Sequence, residues 1–186
     1  MNVDEALGAN PGNNETLLNV VSELGKQIAN NGHRLVYDGS SMGLMGHLAN
    51  AALSCNGKVT GIISNSLLEK EAPLNTLDKL IITDTIQERK LLLQQRADAF
   101  IVLPGGLGTF EEVFETWNAV KIGTYKKPIG FLNHNGYFNK LFDFINECVT
   151  HGFVTQEQYN IPTQADTPQA LLNKLVSSHE TSEVVT

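Results

Sequence analysis

At residues 99–112 the chain reads AFIVLPGGLGTFEE. The five apolar residues that end at Leu103 predict a buried strand, and the apolar spacing that follows Thr109 predicts a helix. Three glycines lie in the turn between the two elements. A strand that passes through a glycine turn directly into a helix is typical of proteins built on a parallel sheet.

The same alternation extends along the chain in both directions from this stretch. Strands are predicted at residues 34–37, 59–63, 80–82, 99–103 and 128–132, and helices at residues 13–30, 43–55, 85–96, from 109 onward, 137–150 and 167–177. Continuous apolar runs separated by segments of helix length favour a parallel sheet with helices on both faces. The sequence therefore predicts a Rossmann-like, three-layer α/β/α fold with a mainly parallel sheet.

The segment before Gly8 departs from this pattern. A fold of this class needs its first strand here, and residues 3–7 read VDEAL. Because Asp4 and Glu5 interrupt the apolar run, the segment is a poor candidate for a central position in the sheet. We expect any strand at this position to be short.

Length and composition favour one compact domain over residues 1–186. A chain of 186 residues is within the size range of a single domain, and 41% apolar residues suffice for a sizeable core. The tail from about residue 178 to 186 is polar, and we expect it to fray.

Charge and cysteine content limit the function classes and the compartment. Thirteen Lys and Arg against twenty Asp and Glu give a net charge of −7. A negative net charge disfavours binding to nucleic acid or to an anionic membrane. Cys55 and Cys148 are far apart in apolar segments, and the histidines show no paired metal-ligand spacing. The start of the chain is acidic, unlike a signal peptide, and no apolar run is long enough to span a membrane. We expect a cytoplasmic protein with no nucleic-acid partner, no membrane partner and no metal.

The glycine turn is suited to hold a phosphate group. Glycines at 105, 106 and 108 let backbone N–H groups approach a ligand, and the start of the helix supplies free donors and partial positive charge. Thr109 is expected either to cap the helix or to bind the phosphate. The alternative is a strand-to-helix turn without a ligand, which the coincidence of three glycines and a threonine makes less favourable.

A second glycine cluster, DGSSMGLMG at residues 38–46, follows the strand that ends at Tyr37. Ligands of open α/β sheets bind beyond the carboxyl ends of the strands, so Gly39, Gly43 and Gly8 are expected at the same crevice as the first turn. The glycine spacing differs from the dinucleotide fingerprint, and no Walker-type lysine is present. A mononucleotide is therefore favoured over NAD or ATP.

Charged side chains next to the glycine turn suggest a reacting centre. Glu111 and Glu112 are expected in the first helical turn, where the helix dipole alone would favour them. A carboxylate beside a phosphate also needs a cation, which Arg89 and Lys90 can supply. Cleavage of an N-glycosidic bond builds positive charge on the sugar, which a carboxylate stabilises while an arginine anchors the phosphate. Spacing alone leaves open whether Arg89 and Lys90 lie at the site or on a solvated helix face.

Three motifs, in this order and spacing, make the chain similar to a known family. The segments GLMG (43–46), ERK (88–90) and PGGLGTFEE (104–112) match signatures of the LOG ("Lonely Guy") family, often labelled lysine-decarboxylase-like. The resemblance runs from about residue 8 to 175. It implies a cytosolic homodimer that hydrolyses nucleoside 5′-monophosphates, cytokinin riboside monophosphates or AMP, to free base and ribose 5-phosphate without a metal or cofactor. The sequence marks no lysine for a pyridoxal phosphate aldimine, so we do not expect a decarboxylase.

The resemblance also implies roles for individual residues. Arg89 and Glu112 match the catalytic arginine and glutamate of the family. The residues predicted to contact substrate, with the second glycine cluster included, are Glu71, Lys90, Gly105, Gly106, Leu107, Gly108, Thr109, Phe110, Glu111, Gly39 and Gly43. The chain departs from the family in its first strand and at residues 38–41, where DGSS replaces a run of three glycines. We expect the loop change to alter substrate fit and the strand change to affect stability or activity.

A non-catalytic binding module is the main alternative. A Rossmann-like protein that carries molybdenum cofactor or senses a nucleotide needs the glycine loop but not the acid. The presence of both Arg89 and Glu112 therefore favours an enzyme. The sequence does not decide between adenine and N6-modified adenine as the base.

Overall fold

A computed structural model describes residues 1–6, 8, 15–70 and 72–184. These residues form seven strands and eight α-helices. The strands are β1 (Asn2–Ala6), β2 (Arg34–Tyr37), β3 (Lys58–Ser64), β4 (Lys79–Thr83), β5 (Ala99–Val102), β6 (Ile129–Leu132) and β7 (Pro162–Ala165). The helices are α1 (Glu15–Asn30), α2 (Gly43–Ser54), α3 (Asn65–Leu68), α4 (Ile86–Arg96), α5 (Leu107–Lys121), α6 (Asn139–Thr150), α7 (Gln156–Tyr159) and α8 (Pro168–Val184).

The strands form one sheet in the order β4-β3-β2-β1-β5-β6-β7, and every pairing is parallel. Helices α1, α2 and α8 pack on one face, and α4, α5 and α6 pack on the other. The predicted Rossmann-like, three-layer fold is confirmed. The chain builds outward from β1 to β4 and then returns to β5 on the other side of β1, so the strand order changes direction between β1 and β5. None of the helices within the described ranges is long and apolar enough to cross a bilayer.

Strand β1 is the main departure from the sequence prediction. It lies at the centre of the sheet between β2 and β5, and its five residues exceed the four of either neighbour. The expectation that this segment is unsuited to a central position is therefore wrong. Asp4 and Glu5 are almost fully buried, with 3% and 5% of their surface exposed. Their burial is tolerated because desolvation raises the pKa of both carboxyl groups well above the ordinary value, which favours the neutral acids.

Smaller differences concern elements without a strong apolar pattern. The edge strand β7 and the short helices α3 and α7 were not predicted. The sequence PTQA of β7 has no apolar run, because an edge strand is only partly covered. Helix α8 continues past the predicted end at Ser177 to Val184, so the first part of the polar tail is helical. Fraying of the tail stays a prediction.

We expect Glu5 to make the stability of the protein depend on pH. Burial, followed by the neighbouring Asp38 and Asp4 carboxylates, raises the pKa of Glu5 well above 4.5 in the folded state. The stability that this group contributes is therefore complete below its unfolded pKa and is lost as pH rises toward its folded pKa. A Glu5→Gln variant stays neutral, so its free energy of unfolding should fall less than that of the wild type between pH 5 and pH 8. Urea unfolding at both pH values measures this, with exposed Glu147→Gln as control, and parallel losses in all three proteins would contradict it.

Candidate active site

A crevice opens at the carboxyl edge of the sheet, where the strand order changes direction. Gly8 follows β1, Asp38 follows β2 and Gly105 follows β5, and all three line one cavity of about 580 Å³. This volume is within the range of small-molecule sites, and open α/β sheets bind ligands at this position. The three loops therefore meet as the sequence predicts.

The turn between β5 and α5 requires a glycine at position 105. A Cβ atom there would lie 2.7 Å from the amide nitrogen of Gly8 and would overlap the Thr109 side chain. A Cβ atom at Gly106 or Gly108 would meet no atom within 4 Å. The backbone at these two glycines is therefore open to a ligand in the cavity, which both residues line.

The start of α5 offers hydrogen-bond donors. The helix begins at Leu107, with Gly106 as its N-cap and no side-chain cap, and the first amides of a helix have no partner within it. Thr109 does not act as the cap. Its hydroxyl oxygen is buried and has no hydrogen-bond partner among the described residues. Amides and a hydroxyl at a helix N-terminus are the donors that a phosphate group needs. Because of this early start, Glu111 and Glu112 lie in the second turn, and the prediction of the first turn is wrong.

Tyr137 supports the glycine turn from the side. Its hydroxyl group donates a 2.6 Å hydrogen bond to the carbonyl oxygen of Gly105, and the residue lines the cavity. The Gly105 carbonyl and the Gly106 N–H belong to one peptide group. The hydrogen bond therefore fixes this peptide group and orients the Gly106 N–H, one of the donors of the turn.

Removing this hydrogen bond should weaken substrate binding moderately. A net hydrogen bond stabilises by about 1 kcal/mol, so Tyr137→Phe should raise the KM for a nucleoside monophosphate about fivefold with little change in kcat. Steady-state kinetics measure this, and Tyr125→Phe is the matched control because that ring lies outside the cavity lining. An unchanged KM would show that the turn keeps its shape without the tyrosine.

Arg89 reaches the cavity from the start of α4. The preceding Glu88 fixes this helix end, because its amide donates to Thr85 Oγ1 and its carboxylate accepts from the Asp84 amide. The Arg89 side chain is only 14% exposed, and its Nη1 lies 3.5 Å from Asp38 Oδ2. Its Nε is buried and has no partner within the part of the chain that the structure describes. Arg89 thus lies at the site and not on a solvated helix face.

Lys90 lines the same cavity, but two acids hold its ammonium group. Its Nζ donates to Glu111 Oε1 at 2.5 Å and to Glu115 Oε2 at 2.7 Å. These bonds, foremost the one to Glu111, raise the pKa of Lys90. Lys90 therefore ties α4 to α5 and stabilises the arrangement of Arg89 relative to Glu112. Its direct contact with substrate stays a prediction.

Glu112 is half-buried on the cavity wall and titrates near neutrality. Removal from water raises its pKa from an ordinary 4.5 to about 7. The positive charge of Arg89 opposes this increase, and the negative charges of Asp38 and Glu111 add to it. A carboxyl group with a pKa near 7 gains and loses protons readily at physiological pH, as a general acid or base must.

The other predicted contacts are placed less directly. Gly39 and Gly43 have positive φ angles of 84° and 55° and shape the second loop, but Asp38 and the residues after Gly43 line the cavity instead. Phe110 packs against the aromatic core under α5. Glu71 lies outside the described residues. Contact of these four residues with substrate stays a prediction.

Sequence reasoning missed the acidic surroundings of the site. It did not single out Asp38, which faces Arg89, or Glu115, which holds Lys90. It treated Asp4 as a defect of the first strand, although Asp4 lies next to Glu112 at a second, small cavity. The sequence did contain a signal for this: two consecutive acids, Asp4 and Glu5, occur where the fold requires its first strand.

A larger cavity of about 720 Å³ lies at the opposite edge of the sheet, beside Pro128 and Thr163. Its lining includes two lysines, Lys126 and Lys127, but contains no acidic residue and none of the predicted site residues. The chemistry is therefore concentrated in the smaller crevice.

The fold and the crevice together define a Rossmann-like α/β protein with a site for a small anionic ligand. The chain belongs to the family described as "Possible lysine decarboxylase", whose model matches residues 45–175. It is 40% identical over 139 residues to the cytokinin riboside 5'-monophosphate phosphoribohydrolase of Mycobacterium tuberculosis, which covers 75% of this chain and 74% of that protein. It is 36% identical over 168 residues to a probable cytokinin riboside 5'-monophosphate phosphoribohydrolase, LOGL3, of Oryza sativa subsp. japonica, which covers 90% of this chain and 80% of that protein. The predicted resemblance to the LOG family is confirmed.

A solved structure shows the same fold at lower sequence identity. The molybdenum cofactor binding protein of Rippkaea orientalis superposes with a TM-score of 0.71 over 94% of this chain and 95% of that one. The two sequences are 23% identical. This likeness supports the architecture and carries no conclusion about the ligand.

Proposed function

We propose that the protein hydrolyses the N-glycosidic bond of a nucleoside 5′-monophosphate, a cytokinin riboside monophosphate or AMP, to free base and ribose 5-phosphate. The observation that carries this proposal is a carboxyl group that titrates near neutrality, Glu112, in one cavity with a phosphate-type glycine turn. A site that only bound an anion would gain nothing from a carboxylate at this position, because a carboxylate repels a phosphate.

The chain supplies a group for each part of this reaction. The amides at the start of α5 and the Thr109 hydroxyl group hold the phosphate, and Arg89 adds a positive charge. As the bond between C1′ and the base breaks, positive charge develops on the ribose, and ionised Glu112 stabilises it. A water molecule adds to C1′ and Glu112 accepts one of its protons. The departing base takes up one proton from solvent, and Glu112 returns its proton to solvent, which restores the ionised carboxylate. One water is consumed, and no oxidant or reductant is needed.

The relatives support the substrate class. Both curated relatives carry names that specify cytokinin riboside 5'-monophosphates, and their identity to this chain extends over most of its length. Incubation of the purified protein with AMP and with isopentenyladenosine monophosphate tests the proposal, with free base and ribose 5-phosphate followed by chromatography. Release of both products from either nucleotide supports it, and the two rates rank the bases. Saturable nucleotide binding without release would instead support a nucleotide-binding module.

We further propose that the protein is a cytoplasmic homodimer. Apolar side chains on and near α5 are exposed in the single chain, among them Leu107 at 89% and Phe114 at 40%. Such a surface suits contact with a second copy. Both cysteines are free thiols, which suits a reducing compartment. Sedimentation equilibrium should give twice the chain mass of 20.3 kDa, and cell fractionation should recover the protein with cytoplasmic markers.

A further inference from the structure

The buried acid Asp4 lies directly behind Glu112. Side chains alternate between the two faces along a strand, and Val3 packs into the cluster formed with α1, α2 and α8. Asp4 therefore projects to the opposite face, under α4 and α5. There it lines a small cavity of about 10 Å³ together with Glu112.

This small cavity brings the almost fully buried Asp4 to the protein side of Glu112, which also lines the crevice. Asp4 and Glu112 are its only ionisable lining groups within the described residues, and the other lining side chains are apolar except Thr116. Its volume is at the lower limit for a single water molecule. Charges interact more strongly across such a space than at the surface, because little solvent screens them.

The bonding of Asp4 points to Glu112 as its partner. Oδ1 of Asp4 is buried and has no hydrogen-bond partner in the described part of the chain. Burial and then the charge of Glu112 raise the pKa of Asp4 well above its ordinary value, which favours the protonated form of Asp4 beside an ionised Glu112. A protonated carboxyl group is a donor, and a carboxylate is a strong acceptor.

We propose that Asp4 is a positioning residue for Glu112: the two carboxyl groups share one proton across this cavity, and Asp4 thereby holds ionised Glu112 in place for the reaction. The proposal rests on the proposed hydrolase function. A pair of this kind titrates in two coupled steps that belong to both groups. The other charged groups that act on the pair are Glu5 on β1, Asp38 after β2, Arg89 and Lys90 on α4, Glu111 on α5, and Lys127 before β6.

Two variants of Asp4 separate positioning from packing. Asp4→Asn keeps a donor of the same size, whereas Asp4→Leu keeps the approximate size and removes the donor. If Asp4 served only for packing, its replacement by leucine would leave the titration of Glu112 unchanged. Urea unfolding of both variants verifies that each is folded before they are compared.

Carbon-13 NMR of the carboxyl groups in the full-length protein tests the pairing without any need for turnover. The signals are assigned by their loss in Asp4→Asn and in Glu112→Gln. We expect the Glu112 titration to move to higher pH by about one unit in Asp4→Leu and to stay near the wild-type value in Asp4→Asn. Reciprocally, Glu112→Gln should move the Asp4 titration to lower pH, because a like charge is lost.

The pH profile of base release tests the consequence for the reaction. At pH 6, where the fraction of ionised Glu112 limits the rate, kcat/KM of Asp4→Leu should be about tenfold lower than that of Asp4→Asn. Equal Glu112 titrations in the two variants, or superimposable pH profiles, would overturn the proposal. If the titrations move as expected but the wild type releases no base, the hydrolase function fails and the carboxyl pair stands as a feature of a binding site.

Discussion

Replacement of Glu112 by glutamine is expected to reduce kcat for base release about 10³-fold while the protein stays folded. Glutamine keeps the size and the hydrogen-bonding capacity of the side chain, but it neither accepts a proton from water nor places a negative charge beside the ribose. General base catalysis typically contributes about 10²–10⁴-fold, and loss of charge stabilisation adds to the effect. KM should change little or fall, since a charge that repels the phosphate is removed.

The pH dependence of base release provides a second test of the role of Glu112 as a general base. The pKa of Glu112 is about 7 because of its burial, and the ionised form is the active one in the proposed reaction. Activity of the wild type should therefore rise with pH up to about 7 and level off above it. The residual activity of Glu112→Gln should lack this rise.

Two other glutamates serve as controls for this substitution. Glu111 lines the same cavity but is 61% exposed and bound to Lys90, so Glu111→Gln should cost only a few-fold in kcat/KM. Glu147 on α6 is exposed and remote from the crevice, and Glu147→Gln should match the wild type. A Glu112→Gln variant with wild-type kcat would remove Glu112 from the mechanism.

The sequence predicts the parts of this fold and site that depend on local pattern. Strand β5, the glycine turn and the start of α5 are consecutive, so apolar periodicity and three glycines suffice to predict them. The central position of β1 depends instead on pairing with β2 and β5, which begin about 30 and 100 residues further along the chain. Local propensity is overridden there, because burial raises the pKa of both acids and so favours their neutral forms.

In the site, too, residue spacing predicts some features, whereas others depend on contacts between distant segments of the chain. Spacing identifies the second glycine loop, but it does not reveal that Asp38 faces the cavity while Gly39 provides the turn. Likewise, the contact of Lys90 with Glu111 and Glu115 follows from the packing of α4 against α5. The composition of the acidic surroundings is therefore a property of the assembled sheet.

Replacement of Arg89 by methionine should have an effect as large as the loss of Glu112, for a different reason. Arg89 is the guanidinium group that opposes the raised pKa values of Asp4, Glu5 and Glu112, and it lies 3.5 Å from Asp38. Without it, the pKa of Glu112 rises, so less of the carboxyl group is ionised at neutral pH. The phosphate also loses a cation. We expect kcat/KM to fall about 10³-fold, with KM raised and the rise of activity displaced to higher pH.

Arg89→Lys separates the two contributions. Lysine keeps the positive charge, so the pH at which activity rises should return toward that of the wild type. A lysine ammonium group lacks the planar fork of donors that binds a phosphate or carboxylate in two places, so kcat/KM should recover only in part. Arg96→Met at the exposed end of α4 is the matched control and should leave both quantities unchanged. Arg89→Met could instead lower activity without displacing the pH profile. That result would mean that Arg89 acts on the phosphate alone and that Asp4, Glu5 and Glu112 keep their protonation states without it.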